Sequence, residues 1–450
     1  MTDLSSPRRR AGLARQLGLA VALASGTALL AVPGLADAAY AQKKEKKGKE
    51  AEKKVTYSDA FRAAYVPIEK AAQAPTIDFA AVKPQLVALV PVSVSPDEKN
   101  AAGRMIYTLG FKGNDLELQL QGAELAIASG ILAGNDVGLF HVVASQVAGK
   151  LKQYDKAQAY LQKAIDLGYT SETVTVPGLK VDLAQLYFDQ GRNTEGLNAL
   201  LDAIAGRKAQ GLTIHPSWYN TAVSVSWKNK IVPQAYDVLE MWVADYPTAQ
   251  NWGDAINITR MLNNFEPGIM LDLFRLSDRV GALSDNNDYL TYIEAADARR
   301  RPAEVKRIIT EARERKVILE GEDSWVDAQY NLAKTNIAQD KTSLPGLERD
   351  ASAPTAQLRT VMAAAEAMLS YGQYAKAASL FEKALTMPDA DRALVLTRLG
   401  IAQLGVGDAA AARATFAKVE GPRTPVARLW SAYAAQKPAD AAAAAPAAGS

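Results

Sequence analysis

The sequence predicts an all-α protein built as a solenoid of antiparallel helix pairs. Apolar residues recur at helical spacing through most of residues 57–436, and one pattern of helix faces repeats along the chain. In addition, β-branched runs are scarce. The two that occur, 87–96 and 171–178, contain proline and are interpreted as connections between helices.

The repeated element is clearest in residues 371–385, YGQYAKAASLFEKAL. Four residues at i, i+3, i+7 and i+10 share one face of the predicted helix: Tyr374, Ala377, Phe381 and Ala384. A second apolar stripe lies just upstream, in 361–369, and Gly372 falls in the turn between the two stripes. This arrangement predicts an antiparallel helix pair that needs neighbouring pairs to bury both of its faces.

The same face recurs in five other segments: Tyr154, Ala157, Leu161 and Ala164; Asn193, Gly196, Leu200 and Ala203; Val232, Ala235, Leu239 and Trp242; Ala409, Ala412, Phe416 and Val419; and, in degenerate form, Pro302, Val305, Ile309 and Ala312. The helix before most of these segments carries a small residue where two backbones are expected to approach closely: Ser145, Ala184, Ala365 and Gly400, with Val223 as the exception. The repeat therefore predicts close packing within each pair.

A helix–turn–helix unit with a small residue, a turn glycine, then Tyr, Ala, Phe, Ala and a closing proline resembles the tetratricopeptide repeat. Two segments match best: Leu399, Gly400, Gly407, Ala412, Phe416 and Pro422; and Ala365, Gly372, Tyr374, Ala377, Phe381, Ala384 and Pro388. The resemblance implies a right-handed superhelix with a concave face. The chain also resembles uncharacterised exported proteins of this type from Gram-negative bacteria, which implies a location more than an activity.

These features divide the chain into seven predicted regions. They are a signal peptide (1–41), a basic disordered linker (42–56), divergent helical pairs (57–138), tetratricopeptide-like repeats (139–247), degenerate helical repeats (248–350), further tetratricopeptide-like repeats (351–436) and an Ala/Pro-rich disordered tail (437–450). A basic start, an apolar run and the small residues Ala39 and Ala41 predict export to the periplasm with cleavage after Ala41.

Charge limits the partners to be expected. Removal of residues 1–41 leaves equal numbers of basic and acidic residues, so nucleic acid is not expected as a partner. The arm KKEKKGKEAEKK (43–54) carries seven Lys and three Glu. It is interpreted as a solvated spacer, with weak contact to an anionic membrane surface or envelope polymer as the alternative. The absence of cysteine excludes disulfides and thiolate sites.

No catalytic or cofactor motif occurs in the sequence, so neither enzymatic activity nor a cofactor is predicted. The only two histidines, His141 and His215, lack His or Cys partners at metal-ligand spacing, so no metal site is predicted. The acidic stretch 283–289 lacks the ligand pattern of a calcium loop. It is interpreted as a turn with a helix N-cap before Tyr289.

Residues 215–254 concentrate aromatic side chains, some of which are expected in the core, Trp242 above all. Five residues fall in the first-helix register that lines the concave groove of tetratricopeptide-like solenoids: Gln146, Gln185, Asn220, Ser224 and Trp227. Aromatic and amide side chains in a groove suit a peptide, so the sequence favours a scaffold or adaptor that binds a segment of another protein. The alternative is a glycan-binding or glycan-acting envelope protein.

Overall fold

The computed structural model describes residues 56–437 of the 450-residue chain. The predicted signal peptide and nearly all of the basic linker and the C-terminal tail lie outside the described residues. Within residues 56–437 there are twenty α-helices and no strand. The chain divides into two compact units, called unit 1 (through residue 213) and unit 2 (from residue 214). The predicted all-α helical-repeat fold is therefore confirmed.

Unit 1 consists of eight helices in its described part: α1 (Asp59–Ala72), α2 (Phe79–Val92), α3 (Pro96–Lys112), α4 (Leu116–Ile127), α5 (Asn135–Lys150), α6 (Tyr154–Asp166), α7 (Val176–Asp189) and α8 (Asn193–Ala209). Helices next to each other in sequence pack together, and the closest pairs are α3 with α4, α5 with α6 and α7 with α8. Short connections make these pairs antiparallel hairpins.

Unit 2 contains the other twelve helices: α9 (Pro216–Lys228), α10 (Gln234–Asp245), α11 (Ala249–Met261), α12 (Pro267–Arg279), α13 (Asn286–Ala296), α14 (Pro302–Glu314), α15 (Ser324–Ser352), α16 (Leu358–Ser370), α17 (Tyr374–Leu385), α18 (Arg392–Gly405), α19 (Ala409–Phe416) and α20 (Thr424–Ala435). A 3₁₀ turn, Gly421–Arg423, precedes α20. None of the helices between residues 56 and 437 is both long and apolar enough to cross a membrane.

The repeated helix face is buried as predicted. The second, third and fourth positions of the pattern are buried in all six segments, which form α6, α8, α10, α14, α17 and α19. Val419, the fourth position of the last segment, lies just beyond the end of α19 and is also buried. The small first-helix residues are buried too, and a Cβ on Gly400 would lie 2.5 Å from the ring of Phe416. The pattern thus marks the packing surface within each helix pair.

Side-chain caps explain several helix starts. Ser95 and Glu98 form a reciprocal capping box at α3, and Thr175 caps α7 by accepting a hydrogen bond from the Gly178 N–H at 3.2 Å. Asp285 accepts from the Asp288 N–H at 3.0 Å and so caps α13, which confirms the N-cap interpretation of the acidic stretch 283–289. These oxygens satisfy N–H groups that have no partner inside the helix.

The interpretation of residues 87–96 as a connection is wrong over most of its length. Helix α2 continues through Val92 and includes both Pro84 and Pro91. Val82, Leu86 and Leu89 lie at i, i+4 and i+7 and are buried, so apolar helical spacing outweighs the local preference of proline and β-branched residues. The other β-branched run does begin as a connection, and α7 starts at Val176.

The tightest helix contact of unit 1 joins α3 and α4, in a region that the repeat pattern covers only loosely. A Cβ on Gly122 would lie 2.3 Å from the Tyr107 backbone nitrogen, and a Cβ on Gly103 would lie 2.4 Å from the Ala126 backbone nitrogen. The two backbones therefore touch at these glycines, and a side chain at either position has no flexible neighbour to displace.

We expect Gly122→Ala to lower the free energy of unfolding of unit 1 by about 1–3 kcal/mol, because α3 and α4 must move apart. The measurement is urea unfolding followed by far-ultraviolet circular dichroism. Gly206→Ala in α8 is the matched control. Its Cβ would meet nothing closer than 3.8 Å, so the gain in helix propensity should leave stability unchanged or raised by up to about 1 kcal/mol. Equal stability of the two variants would contradict the contact between the backbones.

The last helix of unit 2 packs against its early helices. Helix α20 contacts α10, α11 and α12 as well as α18 and α19. Arg428 on α20 pairs with Glu240 and Asp237 on α10, and the Gln436 amide donates to the Val243 carbonyl at 2.9 Å. Unit 2 therefore closes on itself, and side chains from α12–α14 face side chains from α16–α18 around a shared interior.

Candidate functional site

The sequence-predicted groove residues fall in both units. Gln146 on α5 and Gln185 on α7 are half-buried in unit 1, and the Gln185 amide donates to Asp189 at 2.7 Å. Asn220, Ser224 and Trp227 belong to unit 2 and lie at i, i+4 and i+7 of α9, on one flank of that helix. A single groove formed by all five residues stays a prediction.

We call Asn220, Ser224 and Trp227 the α9 flank. Asn220 is exposed, and Ser224 and Trp227 are half-buried, so all three present surface to solvent. Of the other six aromatic residues of segment 215–254, half are buried and half are half-buried. The buried ones are Tyr219, Trp242 and Trp252, as expected for Trp242. His215 caps α9 through Nδ1, and His141 lies within α5 rather than at its start. Neither histidine takes part in the α9 flank.

Asp182 precedes Gln185 by one turn of α7. It is half-buried, and burial raises the pKa of its carboxyl group from 3.8 to about 6. Because the folded-state pKa exceeds the unfolded value, the charged carboxylate costs stability once the pH rises above 3.8, and the full cost is present above about pH 6.

We therefore expect Asp182→Asn to stabilise unit 1 at pH 7.5 by on the order of 1 kcal/mol, and to have no effect below pH 3.8, where the native carboxyl is neutral. Urea unfolding by circular dichroism at both pH values measures this. Asp166→Asn, at an exposed position near the end of α6, is the control, for which no such difference is expected. A gain that is the same at both pH values would contradict the pKa shift.

The same register that selects Gln146, Gln185 and Ser224 points to Glu366 in α16 and Ile401 in α18. Each of these residues directly follows the small or exceptional residue of its first helix. Both lie on the interior of unit 2: Glu366 belongs to a charge cluster, and Ile401 lines a cavity. The extension of this register to α16 and α18 is the one sequence pattern that points to this region.

A buried charge cluster occupies the interior of unit 2. It consists of four arginines and three carboxylates: Asp272, Arg275, Arg301, Glu304, Glu366, Arg398 and Arg423. Asp272 is 0% exposed and lies 3.0 Å from Arg275, 3.2 Å from Arg398 and 2.7 Å from Arg423. Since Arg398 and Arg423 come from α18 and the turn before α20, Asp272 joins α12 to the end of unit 2.

The other two carboxylates of the cluster are shared in the same way. Glu304 accepts two hydrogen bonds from Arg275, at 2.8 and 2.7 Å, and a third from the Tyr292 hydroxyl at 2.8 Å. Glu366 pairs with Arg301 at 2.8 Å and with Arg398. Every carboxylate of the cluster is thus engaged by at least one arginine, and the cluster carries one more positive than negative charge.

The pKa shifts agree with this charge balance. Burial acts to raise the pKa of Glu304, but the Arg275 guanidinium outweighs it and lowers that pKa from 4.5 to about 2. Burial is likewise outweighed by arginines at Asp272 and Glu366, so both pKa values are lowered. At Arg301, burial and the nearby Arg275 and Arg398 lower the pKa despite Glu366.

A cavity of about 370 Å³ adjoins the cluster. Its lining combines charged, polar and apolar side chains: Arg275, Asp278, Arg279, Tyr292, Glu304, Arg307, Leu369, Ser370, Tyr374, Ile401 and Trp430. Arg279 and Arg307 are exposed and form part of the rim, whereas Arg275, Glu304 and Trp430 are buried. The wall thus contains three arginines and two carboxylates, and its apolar side chains come from α16, α18 and α20.

Both carboxylates of the wall are already paired. Arg307 donates to Asp278 through two nitrogens, at 3.2 and 2.6 Å, and Glu304 is held by Arg275 and Tyr292. Arg279 differs, since among the described residues it has no carboxylate partner. It donates to the Tyr374 hydroxyl at 2.6 Å and lies over the Tyr374 ring.

Two further features characterise this part of the wall. Gly405 leaves the space that the Tyr374 ring occupies, because a Cβ there would lie 2.2 Å from that ring. Ser370 lines the cavity, and its buried hydroxyl has no hydrogen-bond partner among the described residues. The cavity therefore presents donors whose capacity is not used within the protein.

No group of three or more His, Cys, Asp or Glu in the part of the chain that the structure describes is arranged to hold a metal ion. The fold and this interior define the chain as an all-α helical-repeat protein with a charged core in unit 2.

No protein-family model matches the chain. No curated protein matches it either.

Among solved structures, the chain is similar to a Rap protein complexed with competence and sporulation factor, at 12% identity and a TM-score of 0.24 over 75% of this chain and 86% of that one. It is also similar to the APC/C hetero-tetramer Cut9–Hcn1, at 13% identity and a TM-score of 0.22 over 82% of this chain and 66% of that one. Alignments this weak identify neither a partner nor an activity, and the fold assignment rests on the packing described above.

Proposed function

We propose that the protein is an exported, non-enzymatic scaffold of the cell envelope that binds a segment of another protein on the α9 flank. The observation that carries the proposal is the flank itself. Asn220, Ser224 and Trp227 follow one another at helical spacing on one side of α9, and each retains solvent-exposed surface. Helical-repeat proteins commonly present such first-helix surfaces to their partners.

The chemistry of the three side chains suits a peptide. Trp227 offers a large apolar surface with an indole N–H, the kind of anchor that dominates many protein interfaces. The Asn220 amide and the Ser224 hydroxyl both donate and accept, so they can pair with the backbone of an extended segment. The partner is therefore expected to place an apolar side chain against Trp227 while its backbone runs along α9.

The envelope location rests on the N-terminal sequence. A basic start, an apolar run and the small residues before position 42 are those of a cleaved signal peptide. We expect the mature chain to begin after Ala41 and to reach the periplasm, where the basic arm 43–54 can contact anionic surfaces weakly. N-terminal sequencing of the protein from a periplasmic fraction tests this location; an intact Met1 in a cytoplasmic fraction would overturn it.

The binding test is a crosslinking pull-down from intact cells that compares the wild type with the double variant Asn220→Ala, Trp227→Ala. The matched control is Trp325→Ala, Asn331→Ala, which removes the same side-chain types from exposed positions of α15. Circular dichroism verifies that all three proteins are folded. We expect a discrete protein partner with the wild type and the control, and its loss with the α9 variant.

Two results would overturn the assignment. A partner that is retained by the α9 variant places the binding surface elsewhere. Absence of any protein partner, together with retention on peptidoglycan or polysaccharide that the variant does not change, favours the glycan-binding alternative.

A further inference from the structure

We propose that the cavity of unit 2 binds a small organic carboxylate, with Arg279, Tyr374 and Ser370 as the groups that hold it. The proposal concerns a site built from helices α12, α16 and α17. It does not depend on the α9 flank or on a scaffold role.

Charge is the first argument. The cavity wall carries three arginines and two carboxylates, and the adjoining charge cluster also has one positive charge in excess. Arg275 and Arg307 are each neutralised by a carboxylate that contacts them through two nitrogens, but Arg279 is not. An anion placed beside Arg279 would therefore meet an uncompensated positive charge.

Hydrogen-bonding capacity is the second argument. Arg279 uses one N–H for the Tyr374 hydroxyl and keeps others. The Tyr374 oxygen accepts that bond, so its own proton remains available for a ligand. The buried Ser370 hydroxyl has no partner among the described residues. All three groups can donate a hydrogen bond and Arg279 can only donate, so a group that only accepts hydrogen bonds, such as a carboxylate, complements this part of the wall.

Shape and polarity define the rest of the ligand. A volume of about 370 Å³ lies at the small end of ligand sites, which run from roughly 300 to 1,000 Å³. Leu369, Ile401 and Trp430 supply buried apolar surface beside the donors. The expected ligand has one carboxylate and a short branched or aromatic body.

Two sources provide this chemistry, namely a free small acid and the C-terminal carboxylate of a peptide. Isovalerate represents the first, and N-acetyl-leucine, which keeps the backbone amide, represents the second. Their neutral analogues isovaleramide and N-acetyl-leucinamide have the same shape without the charge. Inorganic phosphate tests whether a bare oxyanion is enough.

Isothermal titration calorimetry of the full chain at constant ionic strength measures binding of each probe. We expect at least one carboxylate to bind and its amide analogue to fail. Arg279→Gln should weaken binding about 10- to 100-fold, because a charge-assisted hydrogen bond contributes on that scale. Ser370→Ala should weaken it less. Arg349→Gln on α15, where the side chain is 81% exposed, is the matched control and should bind like the wild type.

The source follows from which probe binds more tightly. Preference for N-acetyl-leucine assigns the site to a chain terminus, and preference for isovalerate assigns it to a free acid. Three results would overturn the proposal: no binding of either carboxylate to the wild type, equal binding of a carboxylate and its amide, or unchanged affinity in folded Arg279→Gln. Binding of phosphate alone would likewise reject an organic carboxylate as the ligand.

Discussion

Asp272→Asn is expected to lower the free energy of unfolding of unit 2 by about 3–5 kcal/mol. The native carboxylate is 0% exposed and compensates Arg275, Arg398 and Arg423 at once. An amide of the same size removes the charge but leaves the three arginines in place. Arg275 and Arg398 keep Glu304 and Glu366, but Arg423 is left buried with no carboxylate partner among the described residues. Breaking a buried ion pair from one side carries a cost of this size.

Tryptophan fluorescence makes the effect specific to unit 2. All six tryptophans lie between residues 218 and 430, and unit 1 has none. The midpoint of urea unfolding followed by fluorescence should shift strongly to lower urea concentration. The part of the circular dichroism signal that comes from unit 1 should persist. Asp350→Asn is the control, since that carboxylate is exposed and its one ion pair spans 3.8 Å. If the two variants unfold alike, Asp272 does not hold the two ends of unit 2 together.

The cluster also predicts the response of unit 2 to acid. The folded-state pKa of Glu304 is lowered from 4.5 to about 2, and the pKa values of Asp272 and Glu366 are lowered as well. A carboxylate with a depressed folded pKa stabilises the fold above its unfolded pKa and loses that contribution as the pH falls. The fluorescence-detected stability of unit 2 should therefore decline between pH 4.5 and about 2. Constant stability across this interval would contradict the assigned pairing.

Trp430→Ala is expected to lower the free energy of unfolding of unit 2 by about 3–5 kcal/mol, since it removes one of the largest buried side chains. The indole is 1% exposed, stacks on Phe416, and donates its N–H to the Asp272 carbonyl at 2.9 Å. It thus fastens α20 to both α12 and α19. Its loss should loosen the closure of unit 2 as well as leave a cavity.

Trp325→Ala serves as the control for this change. Trp325 is 40% exposed near the start of α15, so its removal deletes the same chemical group at little cost. Chemical denaturation of both variants, read by the remaining tryptophans, gives the comparison. A similar loss in both would mean that α20 contributes little to the stability of unit 2.

The sequence by itself determined the helices and their buried faces. Positions such as Ala377, Phe381 and Ala384 repeat at the helical period, and the structure buries them as predicted. Such periodicity is local, because it depends only on residues a few positions apart in one helix. Pairing of neighbouring helices follows, since short connections leave a helix little choice of partner. The repeat pattern is weak around Gly103 and Gly122, so it does not predict the close contact between the backbones of α3 and α4 at these glycines.

Only the tertiary structure decided the charged interior of unit 2. Asp272 meets Arg398 and Arg423 across 126 and 151 residues of sequence, and Arg279 meets Tyr374 across 95. In the sequence these residues look like ordinary polar residues of helical surfaces, because their spacing does not show which side chains come together when the chain folds. Burial is the physical reason for their pairing, since charges removed from water must find partners. The Ser370 hydroxyl is the contrasting case, because it is buried and has no hydrogen-bond partner among the described residues.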